Sequence, residues 1–252
     1  MDDENFNCHL WFCLVEDHCF MAKYIYDSKP ANQELISKEL DKVTTSLSTL
    51  EFISPEKRTL ALNTDKYEKF VAALAASFDL KNNALEKEAF IELVILIANQ
   101  MDSYLRLSVL LKKQVDNKTN DIDIVLLYQG DNDSPITERK VYKMAKENKI
   151  ISDELFDKLE QLYKKRNKIV HRYIISDLKT KELFDIAYSY EIACEEVRLK
   201  LKEMENLQFT EKIGIHGNGR DPNEEHKPED IKFLMSQVND KHLIDELKRV
   251  IN

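Results

Sequence analysis

The chain has 252 residues, enough for one large domain or two small ones, and its 43% hydrophobic and 33% charged residues are the balance of a folded globular protein. Its formal charge of −9 argues against coating of long nucleic acid by bulk charge. With only 4 Gly and 5 Pro it lacks the turn residues of an all-β fold, and no G-x-G-x-x-G or G-x-x-x-x-G-K run suggests a dinucleotide or P-loop site.

In chain order, the N-terminus opens MDDEN, acidic where a secretory signal carries positive charge. Cys8, Cys13 and Cys19 cluster near it and Cys194 stands alone, unlike a disulfide framework, so a cytoplasmic protein with reduced thiols is expected. Residues 10–26 are apolar with Glu16, Asp17 and Lys23 interspersed, and helix is expected through the first 80 residues. Leu35, Ile36, Leu40, Val43, Leu47 and Leu50 recur at helical spacing between Pro30 and Pro55, and a further helix is expected from Tyr67 to Phe78.

Residues 84–115 form one long helical pattern, with Phe90, Leu93, Val94, Ile97, Met101, Leu105 and Leu110 on the apolar side. Its longest apolar run, Phe90 to Ala98, contains Glu92 and is too short to span a bilayer, so no membrane partner is expected. Residues 121–133 read as a short strand or a helical turn, and a short helix is expected over 136–148. Ser152 is suited to cap the next helix, with Asp153 and Glu154 at the positive end of its dipole. That helix runs through Leu155, Leu159 and Leu162 to Ile169 and Val170, and another follows over 179–204. Gly214, Gly217, Gly219, Pro222 and Pro228 mark a loop or linker. The expected organisation is all-α: an N-terminal helical region over 1–80, a bundle over 81–207, a linker over 208–228 and a helical tail over 229–252.

One segment reverses the sign of the whole. Lys164, Lys165, Arg166, Lys168 and Arg172 fall within nine residues that contain no acid. Screening limits distant charge to about 10 Å, so this local excess can hold phosphate despite the global balance. A solvated helix face is the competing reading. Asn167 and His171 are four apart and share a helix face. Arg166 and His171 are about 7.5 Å apart along a helix and about 140° around it, so both can border one groove.

The run Arg166-Asn167-x-x-x-His171-x-Tyr173 resembles the signature of the HEPN superfamily: arginine, a polar residue that is often Asn, three variable positions, then histidine. The form with tyrosine two residues after histidine is similar to HEPN toxins paired with minimal nucleotidyltransferases. The resemblance spans residues 84–205. It implies a HEPN-like four-helix up-and-down bundle that dimerises, here with extra N-terminal helices and a short C-terminal helical tail.

It also implies a metal-independent endoribonuclease without cofactors, in a prokaryotic defence or toxin system. RNA, a second copy of the chain, and an antitoxin or nucleotidyltransferase would be its partners. RNA supplies its own 2′-hydroxyl as nucleophile. Histidine suits proton transfer near neutral pH, and arginine stabilises added charge on phosphate. The resemblance therefore gives His171 the acid–base role, Arg166 the phosphate clamp and Asn167 an orienting role. Lys165, Lys168, Arg172 and Tyr173 would contact substrate. Tyr173 is also a place for inhibitory nucleotide modification, or simply a packed aromatic.

Family members often set an acid on the earlier long helix against the motif arginine. Asp102 is the candidate and Glu92 the alternative, while an Asp102–Arg106 pair at i,i+4 is the competing structural arrangement. A non-catalytic RNA- or nucleotide-binding module and a helical adaptor with Arg166 paired to Asp102 remain open as other classes. Elsewhere, Cys8, His9, Cys13, His18 and Cys19 do not have zinc-knuckle spacing and are read as packing residues. The amides around His216 could form an anion nest, against the alternative of a solvated linker.

Overall fold

The N-terminal residues form strands, not the expected helix. In the computed structural model, which describes residues 6–15, 18–27, 33–49, 53–130, 132–219 and 221–224, Phe6–Val15 (β1) and His18–Asp27 (β2) pair antiparallel from Phe6↔Asp27 to Val15↔His18. The physical reason is composition: Phe, Trp, Tyr, Val and Ile fit a pleated surface, and β1 alternates Phe6, Cys8, Leu10, Phe12, Leu14 on one face. Glu16 and Asp17, read as polar interruptions of a helix, fall between the strands in sequence and outside the described residues.

The chain divides into two units, Met1–Arg58 and Thr59–Asn252, a division that falls before the expected boundary near residue 80. In the first unit, helix α1 (Gln33–Ser48) lies against one face of the hairpin. Trp11 Nε1 donates to Thr44 Oγ1 at 3.1 Å, and the Tyr24 hydroxyl donates to Glu39.

The second unit is helical. It contains most of α2 (Pro55–Glu86), then α3 (Phe90–Asn117), a 3-10 turn at Ile124–Leu126, α4 (Glu138–Glu147), α5 (Asp153–Arg172) and α6 (Thr180–Glu211). Contacts fix the directions. Ser77 meets Gln100 and Asn63 meets Ile122, so α2 and α3 are antiparallel. Phe90 meets Phe184 and Leu111 meets Gln208, so α3 and α6 run parallel. Arg139 meets Glu160 and Lys146 meets Asp153, so α4 and α5 form an antiparallel pair.

The core sits on α3. Its stretch Leu107–Leu111 is buried at every position, as a helix surrounded by neighbours must be. By length and composition α3 could cross a membrane, but 67% of its most apolar window is buried inside the unit. Each fully buried Leu there contributes about 1.5–3 kcal/mol by removal from water. The helix ends reflect the shortage of glycine. Glu88, Lys118, Lys149 and Lys212 all take positive φ at or just past a helix end, where glycine is favoured.

The expected linker begins inside α6 and then docks. Gly214 N–H donates to Asn120 Oδ1 at 2.8 Å, His216 N–H to Gln208 Oε1 at 3.2 Å and Ile215 N–H to Gln114 Oε1 at 3.3 Å. These amides are taken up by Asn120 and by the buried Gln114 and Gln208, so the anion-nest reading does not hold. The tail over 229–252 lies outside the described residues.

Candidate functional site

Helix α5 carries the motif in its last two turns. Ser152 starts the helix, its hydroxyl accepting from Leu155 N–H at 3.1 Å. Leu155, Leu159, Leu162 and Ile169 form its buried seam. Steps of four, three, four and three pass through position 166, so Arg166 occupies a seam position that apolar residues hold elsewhere.

A guanidinium in a seam needs partners, since burial of an unpaired charge is costly. Arg166 donates through NH2 to Glu138 at the start of α4 and stacks on the Tyr163 ring, 5.0 Å from its centroid. The Tyr142 hydroxyl, one turn along α4, donates to the other oxygen of Glu138. The Arg166 and Glu138 side chains are 22% and 14% exposed, a mostly desolvated pair at the edge of the core.

Asp102 does not take the role expected of it as a direct partner of Arg166. It accepts from Arg106 Nε at 2.6 Å, the i,i+4 arrangement. Arg106 in turn donates to the carbonyls of Leu126 at 2.8 Å and Ile136 at 2.7 Å, tying α3 to the segment before α4. Asp102 still lies within the field of Arg166. Glu92 is exposed.

The electrostatics follow from this packing. Burial pushes the Asp102 carboxyl upward, against the pull of Arg106 and then Arg166. Burial likewise raises Glu138, against the Tyr142 hydrogen bond and Arg166. The hydroxyls of Tyr142 and Tyr190 are pushed up by burial first and by the Glu138 charge second, so both stay protonated. Asp102 Oδ1, Arg166 Nε and the Tyr190 hydroxyl are buried without a hydrogen-bond partner among the described residues.

The rest of the motif points outward. His171, Arg172, Lys164, Lys165 and Lys168 are exposed, Asn167 is half-buried, and Tyr173 is exposed just past the helix. Positions 164, 168 and 171–172 fall on one stripe, so α5 presents a cationic ridge that ends at His171. Arg166 and His171 are thus separated within one chain, the first turned inward and the second outward. Beyond them Ile174 and Ile175 are 95% and 81% exposed. Tyr173 borders an apolar groove of about 540 Å³ with Phe90, Ile91, Leu96 and Leu183.

Glu138, Tyr142 and Tyr190 were missed by the sequence reading, which sought an acid for Arg166 on the earlier long helix alone. The available signal was Glu138 and Tyr142 at i,i+4 on a helix whose Val141, Tyr142 and Ala145 are core. At the N-terminal cysteines, no group of three possible metal ligands exists among the described residues. Comparisons with protein-family models, with curated proteins and with solved structures give no match for this chain.

Proposed function

We propose that the chain is a HEPN-type endoribonuclease that cuts RNA through attack of the 2′-hydroxyl, at a cleft completed by a second copy. The observation that carries the reading is the placement of Arg166-Asn167-x-x-x-His171. A seam arginine with a fixed guanidinium lies one and a half turns from an exposed histidine that ends a ridge of Lys164, Lys165, Lys168 and Arg172.

The chemistry balances without a protein nucleophile. The 2′-oxygen bonds to phosphorus, the bond to the 5′-oxygen breaks, and one proton leaves the first oxygen while one reaches the second. His171, open to solvent, is suited to these transfers. Arg166, whose side chain keeps 22% exposure, stabilises the charge that accumulates on the phosphoryl oxygens. Asn167 shares the His171 face and orients it or the substrate. Lys165, Lys168 and Arg172 hold adjacent phosphates, and Tyr173 offers a ring for stacking. Asp102 and Glu138 support the arginine from behind. Exposed Ile174 and Ile175 supply apolar surface for the second copy, which brings two such groups together.

One observation favours a second reading. Arg166 is already neutralised by Glu138 and turned away from His171, as a purely structural arginine would be. On that reading the ridge binds RNA or a nucleotide without cutting it.

The two separate on variants assayed in EDTA. Under the ribonuclease reading His171→Ala lowers cleavage about 10²–10⁴-fold and Arg166→Ala at least 10²-fold, with helical content unchanged by circular dichroism. If folded His171→Ala cuts as well as wild type, the assignment fails. RNA binding without cleavage by wild type supports the binding module.

A further inference from the structure

The hairpin shows a bare apolar face. Register places Phe6, Leu10, Phe12 and Leu14 of β1 beside Met21 and Ile25 of β2, all on the side away from Trp11 and Tyr24, which meet α1. All six are exposed, Phe12 by 64% and Leu14 by 79%. Together they offer on the order of 600–700 Å² of apolar side chain, beyond the largest patch on a typical monomer and close to one partner's share of a stable interface.

The rest of the unit makes this face more telling. None of residues 6–14, 19–27, 33–49 and 53–58 is buried. Helix α1 has no buried residue, although Ile36, Leu40, Val43 and Leu47 are turned inward. A two-stranded sheet with one helix and no interior is marginal alone. Obligate homodimer interfaces look like a domain core cut in half, and this unit has that form.

We infer that a second copy of this chain covers the hairpin face, packing hairpin on hairpin between two outer α1 helices. A like copy fits because the face is nearly uncharged. Lys23 is the cation near its centre, and its long stem can carry the charge to the rim. A two-fold axis then sets apolar side chains against apolar side chains, with Asp27, opposite Phe6 at the end of the face, as its other charge. The inference stands apart from the ribonuclease reading and uses a different surface.

Native cysteines report on it without substitution. Cys8 and Cys19 lie on the bare face and Cys13 on the opposite one, and all three are exposed in the single chain. The full-length protein is labelled with a maleimide at rising protein concentration, site by site by mass spectrometry, beside sedimentation equilibrium. We expect Cys8 and Cys19 to slow at least tenfold relative to Cys13 as the mass doubles. Phe12→Lys/Met21→Lys should abolish the protection, whereas Ile174→Asp/Ile175→Asp should leave it intact; the two together should leave a monomer by sedimentation. Equal labelling of Cys8, Cys13 and Cys19 at every concentration overturns the inference. So does protection that needs added vesicles or another protein, or protection of Cys8 and Cys19 that survives Phe12→Lys/Met21→Lys.

Discussion

Replacing Glu138 with alanine strips the acceptor from two groups at once. Arg166 NH2 and the Tyr142 hydroxyl both donate to this carboxylate, and Tyr142 is fully buried. The variant leaves a guanidinium whose Nε is already unpartnered and a phenol with nothing to donate to. Breaking a fully buried pair costs about 3–5 kcal/mol. These side chains keep 22% and 14% exposure, so water recovers part of the loss. About 2–4 kcal/mol is therefore expected, or a fall in Tm of about 4–16 °C for a unit of this size. The assay is urea unfolding of the full chain followed at 222 nm, where helix dominates. The single tryptophan, Trp11, reports the first unit separately by fluorescence. In a cycle with Arg166→Leu, the Glu138→Leu/Arg166→Leu variant should exceed either single variant in stability, with a coupling of about 1–3 kcal/mol. A coupling below about 0.5 kcal/mol, or Glu138→Ala as stable as wild type, would refute the role given to this pair.

Other expectations follow from the docked segment after α6 and from the helix ends. His216 Nε2 lies 3.3 Å from the Tyr67 hydroxyl, and burial, with the charge of Lys202, holds its imidazole below the ordinary value. The unfolded chain then binds the proton more readily. Stability from this site is full above about pH 6.5 and falls as pH drops below it, by at most about 1.4 kcal/mol per pH unit. His216→Gln should flatten the difference between urea midpoints at pH 7.5 and 5.5; an unchanged difference contradicts the assignment. Gly214 has φ of +75°, and a Cβ there would meet the Gln208 amide at 2.4–2.6 Å. Gly214→Ala should cost about 1–3 kcal/mol, and a neutral result would mean that the segment is not docked. Lys149 closes α4 at φ of +57°, so Lys149→Gly should stabilise by about 0.5–1 kcal/mol in thermal unfolding, the opposite sign from most glycine substitutions.

How much of this was legible depends on the element. Helix α5 was, because Ser152 supplies a cap and Leu155, Leu159 and Leu162 keep one period. The seam position of Arg166 was readable in the same steps of four and three. Its partner was not, because Glu138 is 28 positions away and comes close only through the antiparallel turn from α4 to α5. The hairpin was misread because apolar residues occupy both of its faces. Trp11, Phe20 and Tyr24 fill the α1 side while Phe12, Leu14 and Met21 fill the other, so the alternation that marks a half-buried strand is blurred. The docking of Gly214 to His216 was hidden for a different reason. Gln114, Gln208 and Asn120 look like surface residues in sequence, yet Gln114 and Gln208 are buried with their amides spent on backbone groups.

The central claim is 2′-hydroxyl cleavage at the Arg166–His171 motif, and product chemistry tests it most directly. Wild-type protein is incubated in EDTA with a mixed pool of structured and single-stranded RNAs, and with the same pool 2′-O-methylated. The account predicts cuts that leave 2′,3′-cyclic phosphate and 5′-hydroxyl ends, none of them in the methylated pool. Intact RNA, or 3′-hydroxyl ends that appear only when a divalent metal is restored, would contradict it.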